Sequence, residues 1–347
     1  MSSALAALLL AVSLGVTLGA ARTFARRLDV LGVALGLPEA LVGLLTALAA
    51  DGPEIASALV ALAKGEHGVG VGVVLGSNAF NLAAMIGLSA LLSGTVALRR
   101  GALAIEGTMG LLATLLAAGV LLGKIGPALG AVLLACGGVP YVTVLLRSRP
   151  HVPHSRSRAV PDGGVGRHTA SHGEAGTHAE SDGEAGTHAA SHGGAGTHSH
   201  ARTALWMSGD VVLIVAGSFG MVQAAGTLGG RLGVSGAIVG LLVLGPLTSI
   251  PNAMTGVRLG LAGRGSALVS ETLNSNTINL AAGIMIPALL IDVSASSSSG
   301  RLGLAWLLGM TGFALLALAR RGGAGRGAGA VLIALYAGFI ALQLAAS

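Results

Sequence analysis

Ser77-Asn78-Ala79-Phe80-Asn81-Leu82-Ala83-Ala84 recurs 198 residues further on as Ser275-Asn276-Thr277-Ile278-Asn279-Leu280-Ala281-Ala282. The same offset carries Pro53 onto Pro251 and Gly65 onto Gly263. Upstream, Val42-Gly43-Leu44-Leu45 matches Val239-Gly240-Leu241-Leu242 with one residue of slippage. Polar letters held at fixed spacing inside two apolar runs mark an internal duplication.

The runs around these copies set the class. Of 347 residues, 53% are apolar, 10% are charged and 57 are glycine, with a mean hydropathy of +0.81. A water-soluble domain carries about 25% charged residues, so this chain is too poor in charge to be wetted. Lipid is the alternative solvent, and glycine lets helices approach closely there. The net charge of +6 does not indicate nucleic acid, because aromatics are 3% and the basic residues are scattered between apolar runs. The lone cysteine, Cys136, excludes an intramolecular disulfide and a multi-thiolate metal site. At about 20 apolar residues per crossing, ten spans are expected: 3–21, 39–63, 68–93, 102–123, 127–147, 204–226, 236–260, 266–292, 300–319 and 328–346.

The predicted fold is therefore all-α, a polytopic membrane protein of ten transmembrane helices in two five-helix repeats. The repeats cover 1–147 and 204–347, with 148–203 between them. An odd number of spans turns the second copy upside down, and inverted repeats hold their substrate at the repeat interface near the midplane. Loops on one side carry sixteen of the twenty Lys and Arg, leaving Lys64, Lys124, Arg231 and Arg301 on the other. The positive-inside rule then expects both termini outside and 148–203 in the cytoplasm. That segment repeats every ten residues (His168, His178, His188, His198) and has too little apolar surface to order itself. It reads as a disordered His/Gly/Ser-rich linker. A compact chain without an obvious targeting segment points to a prokaryotic inner membrane.

Each repeat has a proline in mid-span, Pro53 after Ala50-Asp51-Gly52 and Pro251 after Thr248-Ser249-Ile250. Proline frees a backbone carbonyl, which a bilayer tolerates only where protein or a polar cavity satisfies it. Glu54 also falls in mid-span, where a carboxylate costs about 2.5–3.5 kcal/mol on insertion scales and marks a functional residue. Asp51 lies at i−3 from it. Ser77 and Asn81 stand four apart, as do Ser275 and Asn279, and each pair begins 24 residues after its proline. Residues at i and i+4 share a helix face, so each pair presents oxygens together. Glu271 extends the second stripe as i, i+4, i+8. Carboxylates with Ser and Asn oxygens make a hard site suited to Ca²⁺ or Na⁺ rather than soft metals.

These motifs resemble the calcium/cation antiporter superfamily, which includes the sodium/calcium exchangers and carries two inverted repeats with motifs near G-T-S-x-P-E and G-S-N-x-F-N. Gly76-Ser77-Asn78-Ala79-Phe80-Asn81 fits the second motif in full, and Pro53-Glu54 is the core of the first. The resemblance implies the fold for all ten spans and transport of inorganic cations. The departures are specific. Ala50 and Asp51 replace the Thr and Ser of the first motif; Asn252 replaces the second repeat's Glu; Asn279 stands where some members have an acid. Asp51 and Glu271 offer replacement charge, and Glu271 corresponds to Val73, so it is not inherited from the repeat.

The expected function is a secondary active antiporter exporting Ca²⁺ in exchange for Na⁺ or H⁺ by alternating access. Glu54 is its expected central ligand, with Asp51, Ser77, Asn81, Thr248, Ser249, Asn252, Glu271, Ser275 and Asn279 around it. No cofactor is expected, only the transported ions; the partners are inorganic cations and the lipid bilayer, not nucleic acid. The rival readings are a transition-metal exchanger using the His-rich segment, a passive cation channel and a non-transporting relative. Enzyme chemistry lacks a nucleotide loop or a Ser-His-Asp arrangement. Glu106 and Asp210 are expected near helix N-termini, where acids meet the dipole favourably. Met85, Met254 and Met285 are expected to be packing residues.

Overall fold

In a bilayer the backbone must satisfy its own polar groups, and long runs of Ala, Leu, Val and Gly do so as helices. The computed structural model describes residues 1–37, 39–97, 100–147 and 195–345. The first repeat comprises α1 (Ser3–Ala34), α2 (Glu39–Ala50), α3 (Gly52–Ala63), α4 (His67–Asn81), α5 (Ser89–Ser93), α6 (Arg100–Leu121) and α7 (Pro127–Arg147). The second comprises α8 (Ala195–Leu232), α9 (Gly236–Val239), α10 (Gly245–Leu261), α11 (Gly265–Leu280), α12 (Ser298–Ala319) and α13 (Arg326–Ala345). Turns of π-helix at Leu82–Leu88 and Gly240–Leu244 join α4 to α5 and α9 to α10, and another at Ala281–Met285 extends α11.

Among the described residues, seven helical stretches are long and apolar enough to cross a membrane. The remaining three of the ten spans are α2–α3, α7 and α11 with its π-turn. The first is broken at Asp51, the second carries Pro140 within it, and α11 is loaded with Ser270, Glu271, Asn274, Ser275, Asn276 and Asn279. Site chemistry dilutes the hydropathy of two of these three.

Two loop contacts display the inversion. Strand β1 (Thr95–Val96) pairs antiparallel with β2 (Ala324–Gly325), Thr95 opposite Gly325, tying the loop after span three to the loop after span nine. The Ala295 amide donates to the Leu121 carbonyl at 3.0 Å, tying the loop after span eight to the loop after span four. The second contact is the first with the repeats exchanged.

The α4 helix lies at the centre, with Val73, Val74 and Leu75 fully buried in a core shared with Leu241, Leu244, Leu268 and Leu273. The α1 and α8 helices pack along one another beside it. One end of that pair is tied by the Arg27–Asp210 ion pair and by the Thr23 hydroxyl donating to Asp210 at 2.9 Å. At the other end Arg231 donates to the Met1 carbonyl at 2.6 Å and the Ser3 hydroxyl at 3.2 Å.

Several boundaries differ from expectation. The first helix continues to Ala34 because its polar extension is anchored on α8 through Thr23 and Arg27. The α8 helix begins at Ala195, so 195–203, expected within the linker, are helical. Asp210 therefore lies well inside α8 and meets Arg27 rather than a helix N-terminus. Glu106 is likewise in the second turn of α6, where it accepts from the Ser270 hydroxyl at 2.7 Å. Met85 and Met285 are buried, whereas Met254 is half exposed. His168, His178 and His188 lie outside the described residues.

Candidate cation site

The site begins with a local conflict in the sequence. Gly52 is a poor helix former, and Pro53 has no N–H for the carbonyl four residues back. Span two accordingly stops at Ala50 and restarts as α3, with Glu54 in the first turn of the new helix. There the helix dipole favours a carboxylate. No parallel break occurs at Pro251: α10 runs through it to Leu261. Ser249-Ile250 ahead of Pro251 contain no glycine, so a single missing hydrogen bond leaves the helix intact. The two repeats thus present similar residues on unlike backbones.

Where α3 restarts, it faces α10 and α11, and their side chains bond around the two acids. The Ser249 hydroxyl donates to Glu54 Oε1 at 2.9 Å. Asn252 Nδ2 donates to Asp51 Oδ1 at 2.8 Å and to Glu54 Oε1 at 3.4 Å. The Ser275 hydroxyl donates to Asp51 Oδ1 at 2.6 Å and accepts from Asn81 Nδ2 at 3.2 Å. All six residues are at most 4% exposed. The structure therefore gathers Asp51, Glu54, Asn81, Ser249, Asn252 and Ser275 into one network. Ser77 and Thr248 are also buried, but their hydroxyls donate back to their own helices, Ser77 to the Val74 carbonyl and Thr248 to that of Leu244.

Asn279 enters through two residues that sequence reasoning quoted in the motif but gave no role. Asn78 Nδ2 donates to the Asn276 carbonyl at 3.0 Å, and Asn276 Nδ2 donates to the Asn78 carbonyl at 3.2 Å. Asn81 Nδ2 reaches Asn276 Oδ1 at 3.4 Å, and Asn279 Nδ2 reaches Asn78 Oδ1 at 3.3 Å. Each bond is the other with 198 added or subtracted, so the four asparagines mark the pseudo-two-fold axis. The signal was in the sequence, since Asn78 and Asn276 are themselves a matched pair.

The bonding is incomplete in a patterned way. Asp51 Oδ2, Glu54 Oε2, Asn81 Oδ1 and Asn279 Oδ1 are buried with no hydrogen-bond partner. Buried acceptors are nearly always satisfied, and an ionised carboxylate in a dry interior requires a counter-charge. The two ion pairs among the described residues, Arg27–Asp210 and Lys64–Glu66, lie elsewhere. Unpaired hard oxygens without a basic residue beside them are the donor type that a hard cation takes.

One cavity leads towards it. A cavity of about 700 Å³ reaches from Arg22, Arg26 and Arg258 inward past Glu271 to Asn252 and Pro53. Glu271 thus lines the approach, on the same helix as Ser275 and Asn279. On the opposite side α4 lies against α9 and α10 at backbone contact. A methyl group on Gly72 would fall 2.6 Å from the Ala237 carbonyl oxygen, and one on Gly245 2.7 Å from the Ser77 amide nitrogen.

Comparison with known proteins decides the family. The sodium/calcium exchanger protein family matches residues 5–144 and 204–345. The chain belongs to that family. This exchanger-family chain is 35% identical over 85 residues to sodium/potassium/calcium exchanger 1 of Gallus gallus and to sodium/potassium/calcium exchanger 2 of Homo sapiens. Each match covers 24% of the chain and only 13% of the relative's length. Solved structures share the fold across nearly all of it. The H⁺/Ca²⁺ exchanger CAX superposes with a TM-score of 0.66 at 14% identity, over 98% of this chain and 87% of that one. The sodium-calcium exchanger NCX_Mj superposes with a TM-score of 0.59 at 15% identity, over 98% and 99%. The exchanger-family chain is an integral membrane protein with the expected ten-helix inverted repeat.

Proposed function

We propose that the protein is a secondary active cation antiporter that carries Ca²⁺ out of the cytoplasm in exchange for Na⁺ or H⁺ by alternating access. The observation that carries this reading is the group of four unpaired buried oxygens on Asp51, Glu54, Asn81 and Asn279. Glu54 is the central ligand. Asp51 stands beside it, Asn81, Asn279 and Ser275 supply neutral oxygens from α4 and α11, and Ser249 and Asn252 hold the carboxylates in place. Ser77 and Thr248 become ligands only if their hydroxyls rotate away from their own helices, and Glu271 meets the ion on the way in. Oxygen donors of this kind suit a hard divalent ion.

Alternating access draws support from the asymmetry of the two sides. The open cavity lies on the side of Arg22, Arg26 and Arg258, which the positive-inside rule assigns to the cytoplasm. The sealed side is formed by α4 against α9 and α10. An inverted repeat contains the mirror arrangement, reached by exchanging the roles of the two halves. The relatives' names join calcium with sodium and potassium, and one structural neighbour's name joins it with protons, which is why Na⁺ and H⁺ both stand as counter-ions.

The test is ⁴⁵Ca²⁺ accumulation in proteoliposomes under separately imposed Na⁺ and pH gradients, with wild type and Glu54→Gln side by side. Accumulation that requires one of the gradients and disappears in the variant is the expected result, and it names the coupling ion. Calcium movement only down its own gradient would replace the antiporter with a channel.

A further inference from the structure

The open cavity is lined by the wrong charge for a cation. Arg22 and Arg26 of α1 and Arg258 in the last turn of α10 line it, together with the acids Asp29 and Glu271. Three guanidinium groups against two carboxylates leave the described lining one charge positive. Clefts that concentrate a charged substrate carry the opposite sign. None of the three arginines makes an ion pair with a described residue, since the two pairs are Arg27–Asp210 and Lys64–Glu66. With the offset of 198 they correspond to Gly220, Ala224 and Val60, so the duplication did not supply them.

Orientation in the membrane requires arginines on this side of the protein, but not three of them converging on one cavity. Arg22 and Arg26 stand four apart, on one face of α1, and Arg258 lines the cavity from α10. Between these helices the walls include apolar side chains, Leu18 from α1 and Ile250 and Met254 from α10. Ile250 and Met254 are 39% and 51% exposed within a membrane span, where hydrocarbon is the cover at hand.

We propose that the cavity binds an anionic phospholipid from the leaflet on the arginine side. Arg22, Arg26 and Arg258 hold its phosphate, and its acyl chain lies between α1 and α10 against Leu18, Ile250 and Met254. Guanidinium groups meet phosphate oxygens in bidentate pairs, and basic pockets between membrane helices take anionic headgroups. A soluble anion would satisfy the arginines and leave the apolar walls bare. A neutral lipid would cover the walls and leave the arginines unmet. An anionic lipid does both, and its phosphate cancels the surplus positive charge on the approach to Glu271.

The test is native mass spectrometry of the full chain in detergent, titrated with phosphatidylglycerol and, separately, with phosphatidylcholine. Wild type is expected to bind phosphatidylglycerol more tightly. Each basic residue contributes about fivefold, so Arg22→Gln/Arg26→Gln should weaken that binding about thirty-fold and leave phosphatidylcholine binding unchanged. Arg258→Gln, on the other wall, should weaken it about fivefold, and it decides the matter if the double variant fails to fold. Arg320→Gln/Arg321→Gln removes two charges at the end of α12, outside the cavity lining, and should bind like wild type. An equal loss in that control would reduce the effect to general surface charge and overturn the site, as would a wild type that does not distinguish the two lipids. Glycerol 3-phosphate carries the phosphate without hydrocarbon. If it displaces the lipid at equal concentration, the ligand is a soluble phosphate and the lipid assignment falls. None of these readouts requires transport, so they stand or fall separately from the antiporter reading.

Discussion

Asn78 and Asn276 make no contact that requires an ion, yet they fix where the proposed ligands Asn81 and Asn279 stand. Each amide bonds the backbone carbonyl of the other and accepts from the second asparagine of the opposite repeat. Asn78→Ala removes a donor and an acceptor at once, leaving Asn279 Nδ2 without its buried partner and the Asn276 carbonyl with only its own helix. Unmade buried hydrogen bonds cost about 1–3 kcal/mol each, so the variant should melt earlier in detergent, and Asn276→Ala should do the same by a similar amount. A melt that moves for only one of them would contradict the symmetry of the lock. At this scale the sequence showed which residues recur. It could not show that Ser77 and Thr248 would turn back on their own helices while Asn81 and Ser275 would meet across the axis, because that choice depends on which partner lies nearer.

At the scale of elements, the break between α2 and α3 is the feature with the most consequence. Pro53→Ala restores a donor to the carbonyl of Ala49 and removes the residue that costs a helix interior about 3 kcal/mol. The expected outcome is a protein at least as stable as wild type that binds calcium more weakly, because a new hydrogen bond to the Ala49 carbonyl tightens the turn that carries Asp51 and Glu54 and shifts both against α10 and α11. Calorimetric titration alongside a thermal melt checks it, and unchanged calcium affinity would show the break to be incidental. The seal between α4 and α9 makes the second prediction. Gly72→Ala places a methyl group 2.6 Å from the Ala237 carbonyl oxygen, where only backbone movement relieves the clash. Overpacking of this kind costs about 1–3 kcal/mol. Thermal stability should fall, and a cysteine introduced on α9 should become reactive from the side that is now closed. The prolines were visible in the sequence, but their unequal effect was not. Gly52 tips the first repeat into a break, and Pro251 sits in a helix that continues.

For the whole molecule, the duplication and the loop charges make a sidedness prediction. In a Cys136→Ala background, a cysteine replacing Lys124 should react with a membrane-impermeant maleimide added to intact cells, and one replacing Arg321 should react only after the membrane is opened. The reverse pattern would invert the orientation, and with it the side on which the cavity opens. The β1–β2 pairing and the Ala295–Leu121 bond already require the loops to sort in this way between two faces, whichever face is cytoplasmic.

Sequence alone determined the membrane class, the ten spans, the inversion and the two carboxylates at the start of α3, Asp51 at its N-cap and Glu54 in its first turn, because composition, hydrophobic run length and an exact offset are properties of the chain that no packing alters. It also showed that a charge is missing at Asn252. Tertiary structure decided the rest. It set Asn252 against Asp51, left four acceptor oxygens unpaired, closed one approach with α4 and α9, and opened the other past Glu271. These are relations between residues about two hundred positions apart in the chain. Hydrogen-bond partners are chosen by distance in space, and only the folded backbone supplies those distances.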